Sequence, residues 1–365
     1  MRLIKPSYEI IEQGPGLQGI YDIIEKCGKV SYKSEPKGGE TARKFVEARA
    51  KEGHGAVLEF GTVYLLFRPG DPITEDRGSG DSEDGCYNKS QGENMGYWDW
   101  NCAIHFYRNN PYSCVKVVPE YNNITKTINK DHGWYVTTNY RVLLENNRLD
   151  DLKYLCEPTE YHEKRYAVKF ITDIGVGREF LRHRTMSMVQ ESTRYVNYNK
   201  EKFGEQCTFI IPPWIDLPEC DSITYWDGDW VDINSNKILV AGERNRVSEW
   251  LFALDFAEAR YRALTNDWSH IANVDDENKD PWLAQQARSV LPLSTKTEFV
   301  LSGFKDSWLH FFCLRTDIAA TGKPHPQAQE LANPLRDEFI ERGYVTEEEL
   351  NNRVKELKDA EKKRS

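Results

Sequence analysis

Tyr166–Tyr195 reads YAVKFITDIGVGREFLRHRTMSMVQESTRY, and it organises the rest of the chain. Tyr166–Thr172 is an apolar, β-prone run and predicts a strand. Asp173 suits the N-cap of a helix that runs on toward Arg182. From Arg178 onward come Arg178, Arg182, Arg184 and Arg194 with His183, set against Glu179 and Glu191. Four arginines less two glutamates give a local charge of +2, in a chain whose net charge is −10. Arg178 and Arg182 are spaced to share one helix face, where like charges repel. An anion between them would relieve that repulsion. Ser192, Thr193 and Arg194 follow in a non-helical stretch, and hydroxyls with a guanidinium are good partners for phosphate oxygens. A solvated basic helix face is the plain alternative, and His183 alone reads first as a packed or capping histidine.

Outward from this stretch, Ser7–Glu12 and Thr62–Phe67 predict strands, and Leu17–Cys27 and Thr41–Lys51 predict helices. Residues 68–97 are rich in Gly, Asp, Ser and Glu and read as a surface loop. Cys102–Tyr107, Ser113–Val118 and Trp134–Thr138 look β-like, and Arg148–Leu155 helical. Residues 208–215 begin as a strand and stop at Pro212-Pro213. Asn245–Asn266 predicts a long amphipathic helix with Trp250, Leu251, Leu254, Phe256, Ala257 and Tyr261 on its apolar side. Ala284–Leu291, Ser307–Arg315 and the charged tail Thr346–Ser365 predict further helices. Strands mixed with helices that do not alternate regularly indicate an α+β fold: a central, mostly antiparallel sheet flanked by helices.

The composition limits the function. The chain has 365 residues, 48 Lys and Arg, and 58 Asp and Glu. An acidic chain is a poor candidate for sequence-independent nucleic-acid binding or for an anionic membrane. No apolar run reaches the roughly 18–20 residues of a membrane span, and the first residues lack a secretory signal core. The eight cysteines form no CxxC pair, so they read as reduced thiols of a cytoplasmic protein. No two histidines are spaced i,i+3 or i,i+4, so no helical metal site is expected. Residues 78–85 (GSGDSEDG) lack the Gly-Lys-Ser/Thr ending of a phosphate loop. Trp98, Trp100 and Trp134 read first as packing residues.

Arg182-His183-Arg184, seven residues, then Ser192 with Arg194-Tyr195 resembles the signature of the flavin-dependent thymidylate synthases. Other segments follow in that family's order. Lys29–Ser31 with Tyr32 resembles an N-terminal segment, and Gly53-His54 with Glu59 resembles a G-H-x-x-x-x-E stretch. Ala287-Arg288 before Val290–Leu293 resembles A-R-x-V-L-P. Phe311–Arg315, then His325 and Gln329–Leu331, looks more loosely like the closing segment. Residues 69–165 have no counterpart and read as an insertion within a domain spanning 1–345, with 346–365 as a charged terminal helix.

The resemblance implies a homotetramer with shared active sites that binds FAD and dUMP. It implies methylene-tetrahydrofolate and NADPH as co-substrates and dTMP as product. Arg182, His183, Arg184, Gln190, His310 and His54 would lie at the flavin. Glu179, Phe180, Leu181, Arg182 and Gln190, then Glu191, Ser192, Thr193 and Arg194, would line the dUMP pocket, with Arg288 reaching it from another subunit. Arg315 would sit at the uracil as the catalytic group. A guanidinium is no general base at neutral pH, so Arg315 would stabilise negative charge developing on the ring. Ser192 reads as a dUMP contact, with a covalent nucleophile as the competing role. No Pro-Cys pair occurs, which argues against the cysteine-dependent class of thymidylate synthase. The chain departs from the family at Ala56, Phe60, Glu179 and Phe304–Asp306. Asn139-Tyr140-Arg141 carries an N-x-R pattern but reads more simply as a strand end and helix start.

Overall fold

The computed structural model describes residues 1–68, 104–122, 127–200, 204–242, 245–266 and 280–363. Residues 69–97 of the expected loop, Trp98, Trp100, Cys86, Cys102 and His270 lie outside the described residues. The chain divides into two compact units. One comprises Met1–Ile11, Gly28–Glu35 and Ala167–Ser365, the other Glu12–Cys27 and Pro36–Tyr166.

The first unit is built on a four-stranded sheet ordered Ser7–Ile11, Arg165–Asp173, Lys296–Phe304 and Ser187–Gln190. Both outer pairings are antiparallel, with Ile11 opposite Ala167 and Phe299 opposite Gln190. Phe170 and Phe299, on neighbouring strands, stack at 5.3 Å between centroids. Phe180 and Phe311 bring the flanking helices Ile174–Phe180 and Lys305–Arg315 onto that aromatic layer, 4.9 Å apart. Burial of such rings is the dominant stabilising term here. A second core gathers around Trp230, Leu251, Leu254 and Tyr261 beneath the helix Arg246–Thr265. The fold is α+β with mostly antiparallel pairings, and the short strands Arg2–Ile4 and Thr208–Ile210 pair in parallel.

The second unit packs the antiparallel sheet Thr62–Phe67, Gly133–Asn139 and Cys114–Val118 against the helices Gly16–Lys29 and Gly39–Lys51. Its core includes Ile20, Ile24, Val46, Val63, Leu65 and Val136. The described residues of the expected insertion therefore share a core with segments that precede it. Asn139 caps the helix Tyr140–Glu145 by accepting the Val142 N–H, and Arg141 pairs with Glu59 at 2.6 Å and Glu145 at 2.8 Å.

Several sequence expectations need correction. Residues 104–109 are helical, not β: Ile104 and Tyr107, three apart, are buried while His105 is exposed. Phe256 is 64% exposed, because the buried face of its helix runs through Leu254, Ala257, Glu258 and Tyr261. The helix after Asp173 ends at Phe180, so Arg178 and Arg182 do not share a helix face. Leu181 caps that helix, and the His183 N–H donates to the Phe180 carbonyl in a following turn. The helix predicted over Ala284–Leu291 is α-helical only to Ala287. The strand Lys296–Phe304 and the helix Pro326–Glu341 carried no sequence expectation at all. Among the described residues no helix is long and apolar enough to cross a membrane.

Candidate active site

Asp173 opens the site locally. Its side chain accepts the Val176 N–H at 2.7 Å, capping a two-turn helix, and also accepts the Gln327 side-chain amide at 2.5 Å. Burial raises the Asp173 carboxyl, against those hydrogen bonds. Inside this helix Gly177 lies against the sheet. A Cβ there would stand 3.2 Å from Thr297 Cγ2 and 3.6 Å from Gln190 Nε2. The absent side chain thus lets the Arg178–Arg184 segment approach the strand that carries Gln190.

The turn after the helix swings His183 inward, to 7% exposure. Arg315 closes over it from the end of the Lys305–Arg315 helix. Its Nε donates to His183 Nε2 at 3.2 Å, its Nη1 to Glu179 Oε2 at 2.9 Å, and its Nη2 to the Glu179 carbonyl at 2.9 Å. Burial first, then the Arg315 and His310 neighbours, push the His183 pKa down to about 3. The ring is neutral at physiological pH. Because its Nε2 accepts, its proton resides on Nδ1. Burial also lowers the Arg315 pKa, with Glu179 opposing and Arg182 adding to the effect. His310 lies 6.1 Å from His183 between centroids, and its Nδ1 is buried with no hydrogen-bond partner. Burial lowers its pKa, helped by Arg353 and opposed by Asp306.

The second half of the motif leaves the sheet at Gln190, whose Nε2 donates to Thr297 Oγ1 at 3.0 Å. The Ser192 N–H donates to the Ser31 carbonyl at 3.2 Å, and Tyr32 lies against Tyr195 at 6.2 Å. The Lys29–Tyr32 segment therefore meets the motif it accompanies in sequence. Arg288 Nη1 donates to Thr193 Oγ1 of its own chain at 2.9 Å. Ser192 Oγ accepts only the Arg194 N–H, at 3.3 Å; among the described residues no histidine or carboxylate is placed to take its proton.

The candidate residues thus differ in placement. Glu179, His183, His310 and Arg315 come together, as do Thr193 and Arg288. Phe180 is fully buried in the aromatic core, so its side chain faces away from any ligand, and Leu181 is the helix cap. Arg182 and Arg184 are exposed, as is Arg194, which lies over its own Tyr195 ring at 5.4 Å. His54 belongs to the second unit, where it precedes the Gly55–Leu58 helix and stands 3.6 Å from Glu52. Lys305 and Asp306 face the terminal helix Glu347–Lys362, pairing with Glu349 at 2.5 Å and Arg353 at 3.4 Å. A cavity of about 390 Å³ adjoins Glu179, lined also by Arg178, Trp214, Trp250 and His325. Among the described residues no cluster of His, Cys, Asp or Glu could hold a metal.

A family profile described as "thymidylate synthase complementing protein" matches residues 159–342, half of the chain. The chain belongs to that family. The matched span carries every motif residue from Glu179 to Arg315 and excludes His54. The flavin-dependent thymidylate synthase of Rickettsia typhi is 29% identical over 207 residues, covering 55% of this chain and 59% of that relative. The chain therefore spans under two thirds of the relative's length. Among solved structures, a UMP/dUMP methylase, PolB, from Streptomyces cacaoi with 5-Br dUMP aligns over 93% of both chains at 13% identity and a TM-score of 0.35. The Helicobacter pylori thymidylate synthase X with FAD and dUMP aligns over 51% of this chain and 73% of that one, at 20% identity and a TM-score of 0.30.

Sequence reasoning missed the charged side chains beneath this site, Lys296, Glu298 and Lys169. Their signal was present: Lys296 and Glu298 are two apart, so they share one face of a strand.

Proposed function

We propose that the protein is an FAD-dependent thymidylate synthase that reductively methylates dUMP to dTMP, using methylene-tetrahydrofolate and NADPH. The observation that carries this reading is the Glu179–Arg315–His183 assembly, set within the family's arginine motif.

The residues fit the cofactor. Arg182 and Arg184 are exposed and take part in no ion pair among the described residues, so they are available to a pyrophosphate. The buried, unpartnered Nδ1 of His310 can meet a polar ring atom. Arg182, His183, Arg184, Gln190 and His310 would hold FAD. Bound FAD supplies the redox chemistry, which no side chain here can perform. At Phe304–Asp306 the contacts must differ from the family's, because Lys305 and Asp306 are engaged with the terminal helix.

The chain's own residues prepare the nucleotide. Ser192, Thr193 and Arg194 offer hydroxyls and a guanidinium to its phosphate, and Arg288 joins them at Thr193. The Glu191 side chain is buried, so it would contribute through its backbone. Arg315 presents fixed N–H donors to the uracil carbonyl region and stabilises negative charge there, making the 5-carbon nucleophilic. Neutral His183 accepts a hydrogen bond from the Arg315 Nε–H and holds the guanidinium plane. A homotetramer, with subunits completing one another's sites, and a cytoplasmic setting belong to the same reading.

The experiment is product identification by mass spectrometry. Purified protein is supplied with FAD, NADPH, methylene-tetrahydrofolate and either dUMP or UMP. dTMP from dUMP supports the reading. Methylation of UMP alone would assign a different pyrimidine nucleotide, and flavin binding without any product would make this a non-catalytic nucleotide binder.

A further inference from the structure

Beneath Gln190–Arg194 lies a charged cluster drawn from several segments of the first unit. The Glu191 N–H donates to the Glu298 carbonyl at 2.7 Å, and its carboxylate turns inward, with a side chain 1% exposed. There Oε2 accepts Lys296 Nζ at 2.8 Å, while Oε1 is buried with no hydrogen-bond partner. Lys296 is therefore that carboxylate's one hydrogen-bonding anchor among the described residues. Lys296 also reaches Glu298, whose second oxygen takes Lys169 Nζ at 2.7 Å. Burial disfavours the Glu298 charge, but Lys296 and Lys169 outweigh it and hold the pKa at about 2. Lys33, with burial and then Lys296 lowering its pKa, adjoins the same group.

A buried ion pair holds a fold no better than a well-packed apolar pair of similar volume. What it adds is direction. Glu191 immediately precedes Ser192, Thr193 and Arg194, so fixing its side chain fixes where the backbone leaves the sheet.

We propose that Lys296 is a positioning residue for the nucleotide phosphate: acting through Glu191, it holds Ser192–Arg194 in the conformation that receives it. This rests on the assignment of residues 190–194 to the nucleotide pocket. Removing Lys296 alone leaves Glu191 buried and uncompensated, so the segment must shift. Removing both charges leaves no uncompensated carboxylate at residue 191.

The test measures dUMP affinity by titration calorimetry on FAD-loaded wild type, Lys296→Met, Lys296→Arg and the double variant Glu191→Gln/Lys296→Met, with flavin affinity and Tm taken alongside. Lys296→Met should weaken dUMP binding about tenfold or more, while flavin affinity stays within about twofold. Lys296→Arg and the double variant should both bind within about threefold of wild type, a recovery that loss of packing alone would not produce. If Lys296→Met does not fold, the other two variants decide the matter. Wild-type affinity in Lys296→Met, or a double variant as weak as the single one, overturns the proposal. Failure of wild type itself to bind dUMP overturns the nucleotide-pocket assignment and this proposal with it.

Discussion

Arg315 is held by Glu179 through both ends of its fork, 2.9 Å from the carboxylate and 2.9 Å from the main-chain oxygen of the same residue. The group assigned to the uracil is thus already neutralised by a carboxylate that is 37% exposed. An incoming anionic ring must compete with that carboxylate. Glu179→Gln removes the competing charge but keeps the shape. It should tighten dUMP binding several-fold, read by calorimetry. Weaker binding would show that Glu179 itself contacts the nucleotide.

Arg315→Ala should leave FAD bound, with an unchanged flavin absorbance spectrum, and reduce kcat about 10²–10³-fold, the loss typical of one preorganised electrostatic donor. Arg315→Lys should recover little, because an ammonium cannot bridge Glu179 and His183 in one plane. Near-normal turnover in Arg315→Ala would remove it as the activating group.

Ser192→Ala should retain activity within about tenfold of wild type, since among the described residues Ser192 Oγ has no base beside it and accepts only the Arg194 N–H. Complete loss of turnover with intact dUMP binding would restore the nucleophile reading.

The folding equilibrium should depend on two buried histidines. The pKa of His183 falls from 6.5 to about 3, and that of His162, mainly through burial, from 6.5 to about 4. Below pH 6.5 the unfolded chain takes up protons that the folded chain refuses. Their contribution is therefore complete above pH 6.5 and is lost as pH falls toward 4 and 3. Each histidine steepens the fall by up to about 1.4 kcal/mol per pH unit. Urea denaturation at pH 7 and 5 should show the loss, and His183→Asn should shrink it.

Phe180→Ala should cost about 3–5 kcal/mol of stability by opening a cavity among Phe170, Phe299 and Phe311. Denaturant titration measures it. A silent substitution would contradict the packing of the aromatic layer.

Local signals in the sequence translated well where one residue decides the geometry. Asp173 before an apolar run marked the helix start, Asn245 marked another, and TVYLLF at Thr62–Phe67 marked a strand with its bounds. The residue types and spacing of the arginine motif were legible in the sequence. Its three-dimensional arrangement was not. The helix end at Phe180 depends on His183 turning inward to meet Arg315, a contact 132 positions away in the chain. The Lys296–Phe304 strand escaped notice because buried Lys296 and the ion-paired Glu298 mask its alternation. Their burial makes sense only beside Glu191 and Lys169. The helix Pro326–Glu341 was obscured by Pro334 within it, although its buried Ala328, Leu331, Ala332, Leu335 and Phe339 keep helical spacing.

The most direct test is one oxygen-free incubation of the FAD-loaded protein, first reduced with NADPH, then given methylene-tetrahydrofolate with or without dUMP. The account predicts stoichiometric dTMP, with flavin reoxidation only when dUMP is present and slowed about 10²–10³-fold in Arg315→Ala. Flavin reoxidation that ignores dUMP and yields no dTMP would contradict it.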